Sequence, residues 1–267
     1  MNSRIQSFKT KVERAFSRHA QSYDQHAGLQ TLAAESCSEF LQSLGPGIPE
    51  GDFLEIGSGT GIFSSMLLKA FPERNITFSD LSAQMLNACR MRLAKQITQK
   101  HSFEIFDAEE SKLNKSFAAI SSSFAIQWFY QPLEGIKHLV SALKSDGVLV
   151  ITFPGEQSCP QWREAAEKLD IPFTFNPMPK CSDMAEMAEE LGIEFQYKEE
   201  IIDEQFDGAL SMFRSIKELG AGTQKHELRL SVKQLRRLMT ELENSAGSAG
   251  VKCSYQLITA VFRKVNT

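Results

Sequence analysis

The chain has 267 residues, 42% of them hydrophobic, which is enough for one large core with an elaboration. Its formal net charge of −4 argues against nucleic-acid binding over the whole surface. Five scattered cysteines without a Cys-x-x-Cys pair argue against a disulfide framework or a metal site and favour a reducing compartment. With neither a signal-peptide core nor a membrane-spanning apolar run, we expect a soluble cytoplasmic protein without a membrane partner.

The first 45 residues are predicted to be helical. Phe8, Val12 and Phe16 recur at helical spacing, and a glycine- and proline-rich run over 45–51 ends the segment. We predict a helical lid over 1–45, followed by a ligand-binding domain over 46–267.

The following segment runs from an apolar strand into a glycine-rich turn and then a helix. Glu55, Gly57, Gly59 and Gly61 form the pattern Glu-x-Gly-x-Gly-x-Gly. Glycine suits such a turn because a Cβ atom would block both the tight backbone angles and the approach of a ligand. A dinucleotide fingerprint would need its third glycine at the position of Ile62, so the spacing does not match that class of cofactor.

Two acidic residues follow at the ends of the next two predicted strands. Asp80 ends an apolar strand about 20 residues past the glycine turn, a position suited to hydrogen bonding with ribose hydroxyls. Asp80 could instead cap the helix that is predicted to begin at Leu81, since Asp is a favoured N-cap residue. Asp107 ends the third strand and is either a ligand-binding acid or an ordinary turn residue.

The remainder of the chain continues the alternation of strands and helices. A fourth strand over 117–124 and a fifth ending at Phe153 precede helices at about 160–169 and 182–191. A sixth strand at 193–202, helices at 208–220 and 231–243, and a last strand at 254–262 complete the prediction. This alternation predicts an α/β fold with a mostly parallel sheet, and places a helical insertion (about 206–245) over the carboxyl ends of the strands.

Charge is unevenly distributed along the second half of the chain. Residues 183–207 contain ten acidic residues against one basic residue, Lys198, whereas residues 210–240 contain seven basic against two acidic residues. Two solvated helix faces would explain this pattern. A docking surface for an acidic partner is the alternative.

Together these motifs resemble class I S-adenosylmethionine-dependent methyltransferases, in which an acid after the third strand faces the adenine amino group. The resemblance implies a Rossmann-like, seven-stranded sheet and S-adenosylmethionine as cofactor. The fourth strand departs from the family pattern, with Ala118 and Ser123 in place of the usual Asp and Asn. By the resemblance the cofactor-binding residues are Glu55, Gly57, Gly59, Gly61, Asp80, Leu81, Asp107, Ala108 and Ser123.

Segments outside this core resemble one subgroup, the malonyl-acyl-carrier-protein O-methyltransferases of biotin synthesis. They are the run from Phe16 to Gln30, residues 125–128, residues 212–221 with 231–235, and Ser254–Tyr255. The resemblance implies methyl transfer to the free carboxylate of malonyl-acyl-carrier protein, an acidic protein substrate.

The implied chemistry needs positioning more than proton transfer. A carboxylate is already ionised at pH 7, so it requires no general base, and in-line alignment supplies much of the rate. Tyr23 and Trp128 are candidate walls of the reaction pocket, although either side chain could be core packing. Arg214 is the candidate anchor for the substrate carboxylate, because a guanidinium pairs with it bidentately; the alternative is a surface charge.

Two other functions remain open from the sequence. One is a small-molecule methyltransferase acting on a free dicarboxylic acid or a quinone precursor, which would need no basic surface. The other is a regulatory or scaffold protein that binds the cofactor without turnover. The departures at Ala118 and Ser123 favour the second slightly, whereas the intact acids Glu55, Asp80 and Asp107 argue against it.

Overall fold

In the computed structural model, which describes residues 3–225 and 229–265, seven strands form one sheet in the order β3-β2-β1-β4-β5-β7-β6. The strands are β1 (Phe53–Ile56), β2 (Ile76–Asp80), β3 (His101–Ile105), β4 (Phe117–Ser123), β5 (Leu143–Pro154), β6 (Glu194–Phe206) and β7 (Val251–Arg263). Strands β1 to β5 pair in parallel, and β7 lies antiparallel between β5 and β6. The chain order therefore reverses between β1 and β4, where open α/β sheets bind ligands.

Helices cover the sheet and its carboxyl edge. They are α1 (Ser3–His19), α2 (Gly28–Ser43), α3 (Ile62–Ala70), α4 (Ala83–Leu93), α5 (Pro132–Ser141), α6 (Pro160–Lys168), α7 (Cys181–Glu190), α8 (Ala209–Glu218) and α9 (Val232–Ala246). Local signals explain several boundaries: Ser82 Oγ accepts from Met85 N at the start of α4, and Ser231 and Gln234 form a capping box at α9.

Apolar packing divides into three clusters. One contains α5 and α7 on one face of the sheet, and a second contains α2, α3 and α4 on the other. The third joins α6, α8 and α9 to one end of β7. The inner parallel strands β1, β2, β4 and β5 are largely buried on both faces, as expected for this architecture, whereas β3 at the edge of the sheet is partly exposed.

The first 45 residues do not behave as one unit. Helix α2 is a core helix, since Ala34, Cys37 and Leu41 are fully buried against the sheet and Ser36 Oγ lies 2.8 Å from Thr259 Oγ1 on β7. Helix α1 instead contacts α4 and the loops at the carboxyl edge. We therefore propose that the lid predicted for residues 1–45 consists of α1 and the turn that follows it.

The predicted strands and helices agree with the structure in order and type. Strand β6 continues to Phe206 rather than ending near residue 202, and α9 continues to Ala246. The predicted basic stretch 210–240 includes residues 226–228, which lie outside the described residues. Across the described residues, none of the helices combines the length and the apolar character needed to cross a membrane.

Candidate functional site

Two adjoining cavities open at the carboxyl edge of the sheet, beside the β1/β4 reversal. The first is lined by the loops that follow β1, β2, β3 and β4, and by α1. The second extends from it toward α6, α8 and the loop after α8. Five residues line both cavities and mark their junction: Phe16, Tyr23, Gln30, Phe124 and Trp128.

The glycine turn forms the floor of the first cavity, and its three glycines serve different purposes. All three have positive φ, which favours glycine. A Cβ atom at Gly57 would collide with Ala125 Cβ, and one at Gly61 would come within 3.0 Å of Cys89 Sγ. A Cβ at Gly59 would meet no protein atom within 4 Å, so at this position the missing side chain leaves room for a ligand.

Asp80 connects the turn to the second strand. Its Oδ2 accepts a hydrogen bond from Gly59 N at 2.9 Å, and its Oδ1 accepts from Ser82 N at 2.8 Å. Burial raises the pKa of Asp80 to about 6, although these backbone donors oppose the shift. The carboxylate and the adjacent Leu81 both line the cavity, as the ribose-binding prediction requires.

At the far side of this cavity, Asp107 contacts a residue that sequence reasoning missed. Lys9 Nζ on α1 lies 3.0 and 2.9 Å from the two Asp107 oxygens, 3.2 Å from Glu109 and 3.3 Å from Glu110. Burial alone would lower the pKa of Lys9, but its bond to Asp107 and the charge of Glu109 outweigh that effect and raise it. Asp107 and Ala108 line the cavity, with Lys9 beside them.

Further contacts hold α1 and the following turn across the opening. Ser17 Oγ lies 2.8 Å from Ser82 Oγ at the start of α4. Thr60 Oγ1 in the glycine turn donates to Asp24 at 2.6 Å, and Arg92 forms an ion pair with the same carboxylate. These contacts close the first cavity over its floor.

Aromatic rings form the wall at the junction. The Phe16 ring lies 5.3 Å from Trp128 and 6.3 Å from Tyr23, and all three rings line both cavities. Burial, with the nearby charges of Asp80 and Asp24, raises the pKa of Tyr23 well above its usual value, so the phenol is neutral. The structure thus brings Tyr23 and Trp128 together at the position predicted for a pocket wall.

The turn after β4 completes this wall. Phe124 has φ of 52°, a left-handed conformation that is uncommon for an aromatic residue and concentrates at functional sites. Gln127 Nε2 donates to Phe124 O at 2.8 Å and stabilises the turn. Ser123, whose Oγ accepts from Thr152 Oγ1 at 3.2 Å, lines the first cavity immediately before it.

Two predicted cofactor-binding residues do not line either cavity. Glu55 is 1% exposed, and its Oε2 has no hydrogen-bond partner among the described residues. Burial raises the pKa of Glu55 to about 8, with a hydrogen bond to Ser64 opposing the shift. Gly61 packs against Cys89. Glu55 and Gly61 therefore face the protein interior beneath the glycine turn and not the cavity.

Arg214 is likewise not brought to the site. On helix α8, Met212 belongs to the third apolar cluster, and Phe213 and Ile216 pack against that cluster. Arg214 therefore lies on the exposed side of the helix. It is not among the residues that line either cavity. This placement does not support the predicted role of Arg214 as the carboxylate anchor.

The fold, the left-handed glycine turn and the strand-end acids define a class I methyltransferase. A family model described as a methyltransferase domain matches residues 54–149. YcgJ from Bacillus subtilis shares the fold at a TM-score of 0.63 and 15% identity, over 87% of this chain and 100% of that one. Haemonchus contortus phosphoethanolamine N-methyltransferase 2, solved with S-adenosylhomocysteine, has a TM-score of 0.58 at 17% identity, over 97% and 60%.

The chain belongs to the family of malonyl-[acyl-carrier protein] O-methyltransferases. The protein of that name from Paenibacillus sp. is 30% identical over 226 residues, covering 80% of this chain and 82% of the relative. Another, from Acetivibrio thermocellus, is 27% identical over 273 residues, covering 96% and 94%. The predicted family, fold class and S-adenosylmethionine cofactor are confirmed.

Replacing two glycines of the turn should separate folding from binding. Gly59→Ala meets no protein atom, so we expect a folded protein that loses only about 1–2 kcal/mol for its left-handed backbone. Its affinity for S-adenosylhomocysteine in calorimetry should fall at least roughly tenfold, or about 1.4 kcal/mol. Gly57→Ala adds a collision with Ala125 and should lower the free energy of unfolding further. Unchanged affinity in Gly59→Ala would show that the turn does not hold the ligand.

Lys9→Ala should loosen α1 without unfolding the sheet. The change leaves three carboxylates without their cation, a loss of about 3 kcal/mol for a buried ion pair. Limited proteolysis should therefore cut the α1 segment roughly a hundredfold faster, while the remainder of the chain stays resistant. Lys11→Ala, which removes an exposed lysine of the same helix, is the control. Equal cleavage rates in both variants would contradict the assignment of α1 as the lid.

Proposed function

We propose that the protein transfers a methyl group from S-adenosylmethionine to the free carboxylate of malonyl-acyl-carrier protein, giving the malonyl methyl ester used in biotin synthesis. Family membership supports the substrate class. The observation that carries the proposal is the junction of the two cavities, where aromatic side chains separate a site for the cofactor from a larger chamber for the malonyl thioester and its pantetheine arm. The free cysteines are consistent with a cytoplasmic location.

The first cavity fits the cofactor on the evidence of its own residues. The open space above Gly59 would take the backbone-contacting part of the ligand, and Asp80 would accept from ribose hydroxyls. Asp107 and Ala108 would lie at the adenine end and Ser123 near the strand-four turn. When bound there, S-adenosylmethionine supplies a methyl group that its sulfonium centre makes electrophilic.

The residues at the junction orient the substrate and exclude water. Tyr23 and Trp128 confine the reacting carboxylate between the cavities, and α1 covers the opening through Lys9 and Ser17. Because opposite charges are lost together during the transfer, removing water from this space favours reaction. Holding the reacting groups in line can account for several kcal/mol of the barrier.

Mass spectrometry on three substrates tests the proposal. The protein is incubated with S-adenosylmethionine and, separately, with malonyl-carrier protein, malonyl-coenzyme A or free malonate. We expect the mass gain of one methyl substitution on the carrier substrate, and a slower gain with Gly59→Ala at the same concentration of S-adenosylmethionine. Efficient methylation of free malonate would favour the small-molecule alternative, and no methylation of any malonyl substrate would contradict the proposal.

The carrier protein is proposed to dock on the amino-terminal half of α9. Lys233, Arg236 and Arg237 are exposed and line a shallow groove with Leu169, Val232 and Thr240. The one acid of the groove lining, Glu241, forms an ion pair with Lys168. None of the three cations forms an ion pair within residues 3–225 and 229–265. A shallow groove with three such cations suits an acidic helix, and such charges act mainly on the rate of association.

Reversing these three charges should weaken the carrier without impairing the chemistry. At about 0.5 kcal/mol per exposed pair, the triple change to Glu should raise the KM for malonyl-carrier roughly tenfold at low salt, and the difference should shrink as salt rises. The KM for malonyl-N-acetylcysteamine, which has no carrier, should not change. The matched control reverses three exposed lysines that line neither cavity: Lys69, Lys95 and Lys112. Equal effects in both triple variants would contradict docking on α9.

A further inference from the structure

The wall of the second cavity contains a lysine whose position is fixed by its neighbours. Lys225 follows α8 and is half-buried. Its backbone N donates to Asn176 Oδ1 at 2.9 Å, and Asn176 Nδ2 donates to Thr223 O at 2.9 Å. Gln224 Nε2 adds a third bond to Thr174 O at 3.0 Å. Three hydrogen bonds therefore hold this short loop against the segment after α6, and the lysine backbone is preorganised.

The ammonium group of Lys225 has no partner among the described residues. Within residues 3–225 and 229–265, no side chain forms a hydrogen bond or ion pair with Lys225 Nζ. Burial lowers the pKa of Lys225 to about 8, and the more distant charge of Glu109 only partly opposes the shift. A half-buried cation without a partner costs free energy, which an anionic ligand would recover.

The surrounding cavity is lined by aromatic rings and by several cations. Trp162 packs edge-on against Phe213 at 5.0 Å and near Phe175 at 6.3 Å, and all three line the cavity. Trp162 Nε1 is a buried donor without a partner among the described residues. The other lining cations are exposed: Arg4, Lys11, Lys217 and Arg229. The lining acid Glu204 is engaged with the backbone of Leu29.

We propose that Lys225 is a substrate-binding residue that pairs with an oxyanion of the acyl-thioester substrate inside the second cavity. The inference rests on the proposed function and replaces the outward-facing Arg214 with a cation that lines the chamber. An ammonium is a compact point charge, so it can hold one oxygen and leave the other lone pairs of the anion free. The oxyanion has two possible sources, the malonyl carboxylate and the phosphodiester of the pantetheine arm.

Steady-state kinetics with Lys225→Ala tests the proposal, with S-adenosylhomocysteine calorimetry as a check that the cofactor site is intact. The KM for malonyl-carrier should rise at least roughly tenfold, while the affinity for S-adenosylhomocysteine should not change. Lys225→Arg retains the charge and should restore part of the loss. Lys69→Ala, an exposed lysine on α3 that lines neither cavity, is the matched control and should behave as wild type.

Two probes identify the source of the anion. Malonyl-N-acetylcysteamine has the carboxylate but no phosphodiester, and acetyl-carrier, tested as a competitive inhibitor, has the phosphodiester but no carboxylate. A rise in KM for the first probe with an unchanged Ki for the second assigns the carboxylate. The reverse assigns the phosphodiester, and both results support an oxyanion site.

Failure of this inference is distinguishable from failure of the proposed function. If wild type methylates malonyl-carrier and Lys225→Ala does so with unchanged KM and unchanged response to both probes, the inference is wrong and the function stands. If wild type methylates no malonyl substrate, the function fails. Calorimetry of the S-adenosylhomocysteine-loaded protein with malonate and with inorganic phosphate then tests anion binding directly, and equal titrations for wild type and Lys225→Ala would overturn it.

Discussion

The site depends on the backbone hydrogen bonds that the carboxylate of Asp80 accepts. This carboxylate accepts from Gly59 N in the turn after β1 and from Ser82 N at the start of α4, so one side chain fixes two strand ends relative to each other. A buried carboxylate is costly, and the two backbone donors offset part of that cost. The left-handed turn, the open space above Gly59 and the cap of α4 are consequently positioned together.

Local patterns were sufficient to predict the fold. Glycine spacing, apolar runs and the acids that end β2 and β3 are short-range features, and each constrains a few residues of backbone directly. Tyr23 and Trp128 were instead suggested by the family resemblance, and both lie beside the carboxyl edge. When local preferences agree with the overall architecture, the fold can be predicted from short segments of the sequence.

Contacts between distant segments could not be read in this way. Lys9 and Asp107 are 98 residues apart, and no periodicity in α1 identifies which acid its lysine meets. The similar segment that suggested Arg214 located the helix but did not decide which side of it faces the cavity. The helical spacing of Met212 and Ile216 decides which side of α8 is buried, and this spacing is visible in the sequence. Both interpretations of the basic stretch 210–240 place its cations on an outer surface, whereas Lys225 lines the second cavity. The loop bonds to residues 174–176 that hold it there depend on tertiary packing.

The acidic stretch has a consequence for self-association. Its residues lie on α7 and on β6, which is thirteen residues long and forms the open edge of the sheet. Such an edge offers unpaired backbone groups to a strand from another molecule. Exposed carboxylates at Glu194, Glu199 and Glu200 would repel an identical edge, despite the exposed apolar side chain of Ile201 between them and the end of the strand. The charge on this strand therefore opposes edge-to-edge pairing of two copies of the sheet.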